Sequence, residues 1–209
     1  MKAQFYKDWG FAVKVPEYFK HEIDLYTWDK KPENALWVER GVYAREKMFN
    51  GCKVLDLCCG DGSYSYLFFS SIAQEIVAVD IDDSAIKYCI KNYSHPKIKY
   101  LNKDIILDDL PDLRYDIVVW NAAIEHFTIE NMKKIFDKIS KVSKKDFTLC
   151  GYTNQKSGEK THPHHKYEFE SKDELRQFLS DYFIDVEVIK TWYPQRVNLY
   201  FRCKNYKEF

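Results

Sequence analysis

Glu125 and His126 stand side by side in AAIEHF, and three further histidines, His162, His164 and His165, crowd into HPHHKYEF. Imidazole and carboxylate together suit a borderline divalent ion such as Mn²⁺, Fe²⁺, Co²⁺ or Zn²⁺, and suit oxygen-loving Mg²⁺ less. Such an ion stabilises the deprotonated form of an acceptor hydroxyl, and a neutral histidine can take the proton as general base. Alone, a Glu-His pair is equally well a polar loop, and a histidine tract a solvated one. Both segments, however, follow apolar strand-like runs. Strands of a parallel sheet deliver their carboxyl ends to one edge, so the two segments point to one shared metal site.

The second constellation is VLDLCCGDGSYS, residues 54–65, with Asp80 closing the next apolar run, IVAVD. Gly60 and Gly62 let backbone approach a ligand, and the helix that follows offers free N–H groups. An acidic residue about 20 positions on takes ribose hydroxyls. A dinucleotide fingerprint would place a third glycine at position 65, where this chain has Ser65. Asp56, inside the strand end, is badly placed beside a pyrophosphate and well placed beside a cation. S-adenosylmethionine (SAM) carries a sulfonium and an ammonium and no phosphate.

At these residues the chain resembles the class I SAM-dependent methyltransferases, whose first motif reads D-x-G-x-G-x-G. Asp56, Cys58, Gly60 and Gly62 occupy those positions, with cysteine in place of the first glycine. The resemblance spans roughly residues 35–205 and implies SAM as cofactor. It implies that Asp56, Gly60 and Gly62 shape the pocket for the methionine half, and that Asp80 chelates the ribose. Asp104, in NKDI, would bind the adenine amino group. Cys58 and Ile81 would line the pocket, and Asn121 and Ala122 would bring backbone to cofactor and substrate. Arg40, ahead of the first strand, would meet SAM's carboxylate or an anionic acceptor, whereas Arg45 suits a solvated helix face.

The histidine segments resemble those of the small-RNA 3′-terminal 2′-O-methyltransferases, which carry E-x-x-E-H and H-D-H-K-F-E-W. Glu125, His126 and His165 match ligand positions of that group. Its first glutamate falls on Ala122, so His162, His164 or water would complete the set. In overall style the chain is also similar to methyltransferases encoded among capsule and surface-polysaccharide genes of AT-rich bacteria.

The elements that must position these residues follow from periodicity. Strand-like runs at 53–57, 75–80, 98–102, 115–121 and 146–152 alternate with helix-length segments at 62–71, 83–92 and 130–142. Asp83 and Ser84 form a cap region for the second helix, and Ser171-Lys172-Asp173-Glu174 reads as a capping box. Two long runs, 184–193 and 196–204, flank Pro194-Gln195 as a hairpin. The expected fold is α/β: a Rossmann-like, seven-stranded, mostly parallel sheet with helices on both faces and an antiparallel last strand. Residues 1–50 read as an N-terminal helical or lid segment, with aromatics Tyr18, Phe19, Tyr26 and Trp28 beside His21. Residues 51–209 read as the SAM-binding domain.

Thirty-two basic and 32 acidic residues give zero formal net charge, which opposes a strongly basic nucleic-acid surface. The longest aliphatic or aromatic run in the sheet region, Ile117 to Trp120, is far too short for a membrane span. The N-terminus lacks a signal peptide's apolar core. None of the six cysteines forms a spaced CxxC pair, which suits free thiols in a reducing cytoplasm. The reading is metal-assisted O-methylation of a small or glycan-linked hydroxyl or phosphate-type oxygen. A capsular sugar hydroxyl or a methyl phosphoramidate group would be such an acceptor. An RNA 3′ end is the second reading, and a non-catalytic SAM-binding protein the third.

Overall fold

The computed structural model describes residues 32–156, 163–193 and 196–207. The apolar, β-branched runs form β1 (Lys53–Leu57), β2 (Glu75–Asp80), β3 (Ile98–Asn102) and β4 (Tyr115–Asn121) at the expected places. β5 is longer than expected, Ser143–Asn154, and β6 (Phe183–Tyr193) and β7 (Arg196–Tyr206) make the hairpin. The sheet order is β3-β2-β1-β4-β5-β7-β6. Neighbours from β3 through to β5 are parallel, and β7 runs antiparallel to both β5 and β6. This is the expected Rossmann-like sheet, with its one reversed strand last in the chain.

Alternation along the strands divides the core between two faces. Leu55, Leu57, Val77, Val79, Val118 and Trp120 pack with Met132, Ile135 and Phe136 of α3 (Ile129–Val142) and with Leu175 and Leu179 of α4 (Lys172–Ser180). Val54, Ile76, Ala78, Ile117 and Val119 pack on the other face, with Ala44 of α1 (Pro32–Arg45) and with Ile86 and Cys89 of α2 (Asp83–Asn92). Asp56 and Asp80 follow the second alternation, so both acids emerge on the face that α1 and α2 cover. No helix among the described residues is long and apolar enough to cross a membrane.

Two expectations need correction. The helix read at 62–71 is shorter, 63–69, and widens into a π-helix over Ser65–Phe69, closed by Ser70 N–H donating to the Ser65 carbonyl. π-Turns recur at functional sites because the widened backbone re-aims side chains; this one turns Ser65 back onto Asp56. The cap of α2 is Asp82, whose extended backbone lets its carboxylate accept the Ser84 N–H; Asp83 already lies in the first turn. Ser171 does cap α4, accepting the Glu174 N–H, while Glu174 reaches back one residue further, to the Glu170 N–H. The N-terminal aromatics and His162 lie outside the described residues.

Candidate active site

A cavity opens at the carboxyl ends of β1, β2 and β4. Asp56, Asp80, Ile81, Asn121, Arg40 and His126 are among the residues that line it. The strand-to-helix turn at its floor takes positive φ at three alternating residues: Cys58 (57°), Gly60 (55°) and Gly62 (77°). Glycine adopts this region freely and other residues only with strain. Cys58 therefore keeps the conformation of the glycine it replaces. A Cβ on Gly62 would stand 2.8 Å from both the Cys89 sulfur and a Tyr100 ring carbon, so packing as well as φ requires glycine there.

Asp80 is clamped by main chain. Its Oδ2 accepts the Gly60 N–H at 2.9 Å and its Oδ1 the Asp82 N–H at 2.8 Å. Burial nevertheless raises its pKa to about 6, because those amides and that of Ile81 only partly offset desolvation. Asp56 accepts the Ser65 hydroxyl at 2.6 Å, and burial raises its pKa to about 7, with the charges of Asp80 and Asp61 adding to the effect. Two carboxyl groups pushed up by desolvation thus share one cavity wall. Opposite them Arg40 is buried, its guanidinium 4.0 Å from the Tyr152 ring centre and 4.8 Å from that of Trp37. Its Nε has no hydrogen-bond partner among the described residues.

The structure brings Asp56, Cys58, Gly60, Asp80, Ile81, Asn121 and Ala122 together around this cavity. Gly62 supports the turn from behind. Asp104 and Arg45 are not among the lining residues; Asp104 Oδ1 accepts the Ile106 and Leu107 N–H groups of its own turn, at 2.9 and 3.3 Å. Asp61 and Tyr64 line the cavity as well, and sequence reasoning missed them. Asp61 could have been found from its place between the two glycines. Tyr64 offers no such signal.

The second cluster sits beside the first. One ligand atom each from Glu125, His126 and His165 lies within 4.8 Å of the others. Glu125 and His126 form a 3₁₀ turn, Ile124–His126, directly beyond β4. The loop after β5 is tied to that turn by main chain, with Lys166 and Tyr167 N–H groups donating to the Glu125 carbonyl at 2.8 and 3.1 Å. Glu125 is 3% and His165 6% exposed, whereas His126 is half-buried and faces the cavity. Burial raises the Glu125 pKa, offset in part by its own backbone amide, His165 and the Thr153 hydroxyl. His164 approaches with its carbonyl, 3.5 Å from His126 Nδ1. Two imidazoles and one buried carboxylate fit a borderline divalent ion. Sequence reasoning did not single out two further members: Thr153, whose hydroxyl donates to Glu125 Oε2 at 3.0 Å, and Glu168, bonded to His165 Nδ1. For Glu168 the i, i+3 spacing from His165 was the available signal.

Residues 54–146 match the family described as a methyltransferase domain. An uncharacterised methyltransferase of Mycobacterium bovis is 37% identical over 76 residues, 35% of this chain and 36% of that protein. The ribosomal protein L11 methyltransferase of Acetivibrio thermocellus is 37% identical over 73 residues, 34% of this chain and 23% of that protein. The chain thus spans about a third or less of the length of these curated relatives. Among solved structures, the N-methyltransferase NodS of Bradyrhizobium japonicum, in complex with S-adenosyl-L-homocysteine, superposes with a TM-score of 0.67 at 13% identity. That match covers 90% of this chain and 94% of the other. Residues 54–146 are thus similar to a methyltransferase domain, and the chain as a whole has the Rossmann-like fold of these solved structures.

Proposed function

We propose that the protein is a SAM-dependent, metal-assisted O-methyltransferase. One observation carries this reading: His126 lines the cofactor-sized cavity and also belongs to the Glu125-His126-His165 group. An ion held by that group would therefore adjoin the end of the cavity where a methyl donor is presented. SAM fits the cavity by charge. Asp80 takes the ribose hydroxyls, Asp56 faces the cationic methionine half, and Arg40, which has no carboxylate partner among the described residues, takes an anionic oxygen.

When bound, the ion would lower the pKa of an acceptor hydroxyl. The protein's own residues supply the rest. Glu125 and the two imidazoles hold the ion in a water-poor recess, and the cavity wall aligns the acceptor oxygen with the S–CH₃ bond. The acceptor class is a small or glycan-linked hydroxyl or a phosphate-type oxygen, as in capsular polysaccharide building blocks. Zero net charge supports this class over a nucleic acid, since few phosphates could be neutralised. An RNA 3′ end stays as second reading because HHKYEF so closely resembles the corresponding RNA-methylating motif.

The test offers labelled SAM to nucleotide-linked sugars, phosphorylated metabolites and short RNA 3′ ends, with Mn²⁺ and with excess chelator. The expected outcome is metal-dependent transfer to a sugar or phosphorylated acceptor, restored after chelation better by Mn²⁺ than by Ca²⁺. Transfer confined to RNA would replace the acceptor class, and full turnover in chelator would remove the metal.

A further inference from the structure

We infer that Glu168 and Thr153 are positioning residues that build the Glu125-His126-His165 site before any ion arrives; this rests on the metal reading above. The two act on different ligands from outside the group. Glu168 Oε1 bonds His165 Nδ1, and both side chains are almost fully buried, 2% and 7% exposed. A carboxylate at Nδ1 holds the proton there and leaves the Nε2 lone pair for a metal. Nδ1 and Nε2 point away from each other on the ring, so a carboxylate bound at Nδ1 leaves Nε2 unobstructed.

Thr153 works in the same way on the carboxylate. Its hydroxyl donates to Glu125 Oε2 at 3.0 Å and so restricts the rotation of the carboxylate, one oxygen of which lies within 4.8 Å of a nitrogen of each imidazole. The main-chain bonds from Lys166 and Tyr167 to the Glu125 carbonyl lock the two loops in register. A hydroxyl on the carboxylate, a carboxylate on one imidazole and a main-chain clasp between the loops form an outer layer behind two of the three candidate ligands.

The experiment measures Co²⁺ binding to the full chain by calorimetry and by the d–d absorption of bound Co²⁺. Outer-partner loss costs about 10- to 100-fold in metal affinity. Glu168→Ala is expected to weaken Co²⁺ by about that factor and to alter the absorption band. Glu168→Gln, which keeps an acceptor but loses the charge, should lose less. Thr153→Val should fall between wild type and Glu168→Ala. Circular dichroism reports whether each variant folds, and Glu168→Gln carries the test if Glu168→Ala does not. Wild-type affinity and spectrum in a folded Glu168 variant would overturn this inference while leaving the metal site standing. No Co²⁺ binding by wild type would overturn both.

Discussion

Asp80 and Glu125 are both buried carboxylates at the same edge of one sheet, and they are held in opposite ways. Asp80 is gripped by the amides of Gly60 and Asp82, one in the adjacent turn and one two residues away. Glu125 is gripped by side chains and loops brought from β5 and beyond. The first grip is written into a strand-turn-helix unit, and neighbouring strands merely bring two such units side by side. The second exists only once β4 and β5 are paired and the loop after β5 has folded back. The proposed recognition of the cofactor therefore rests on main-chain contacts of two adjoining turns, whereas the proposed chemistry is a property of loops brought from further along the chain.

Substitutions should separate the two regions. The largest effect is expected from His165→Ala, which touches only the loop cluster. Turnover should fall by about 10²- to 10⁴-fold, the range for loss of an acid–base or metal-linked group. SAM affinity, measured by calorimetry on the same sample, should stay within about threefold. A parallel loss of SAM affinity would show that the regions are one unit.

Next comes Gly62→Ala, which attacks the cofactor floor. The left-handed φ costs about 1–2 kcal/mol, and the added Cβ meets Cys89 and Tyr100 at 2.8 Å. With overpacking of about 1–3 kcal/mol, unfolding by denaturant should show a loss of about 2–5 kcal/mol. A change below about 0.5 kcal/mol, within the usual range for surface substitutions, would mean that the floor is softer than the cluster beside it. Asp80→Ala is expected to weaken SAM by about 1–3 kcal/mol through lost charge-assisted bonds to the ribose. Co²⁺ affinity should not change. Calorimetry with each ligand in turn checks both halves of that statement.

The same contrast explains what the sequence revealed. The sheet was legible because its strands are short apolar runs bounded by turns, and Asp56, Gly60 and Asp80 were legible because their spacing is fixed by one structural unit. Glu125, His126 and His165 could be read as ligand types, and their convergence followed from both loops leaving one sheet edge. Their support could not be read so easily. Thr153 looks like any threonine in a strand, and only the pairing of β4 with β5 sets it against Glu125. Ser65 marks the absence of a glycine in sequence. In the structure it becomes the hydroxyl on Asp56, because the π-turn shifts its direction. The helix read over that stretch is present, but its π winding over Ser65–Phe69 was not legible: residue pattern signals a helix and not how it is wound.

The smallest effect distinguishes the two regions by pH. Asp56 and Asp80 titrate at about 7 and about 6 in the folded chain, raised from 3.8 chiefly by burial. Asp61 and Asp82 add negative charge nearby, and the Ser65 hydroxyl and the Gly60 and Asp82 amides oppose it. A raised carboxyl pKa means that the folded state without ligand holds more protons than the unfolded chain. These two groups therefore favour folding most below about pH 4, and that contribution is lost as pH rises toward 7. SAM, being cationic, selects the ionised pair and so releases protons on binding. Its affinity should fall as pH drops from 8 to 5.5, by roughly ten- to thirtyfold from Asp56 alone. Proton release should appear as a dependence of the calorimetric enthalpy on buffer ionisation. Asp56→Asn should bind SAM more weakly at pH 8 and flatten the profile. An affinity constant across that range in wild type would show that the Ser65 hydroxyl on Asp56 and the Gly60 and Asp82 amides on Asp80 already keep both carboxylates ionised, and that the cofactor region, like the loop cluster, is finished before its ligand arrives.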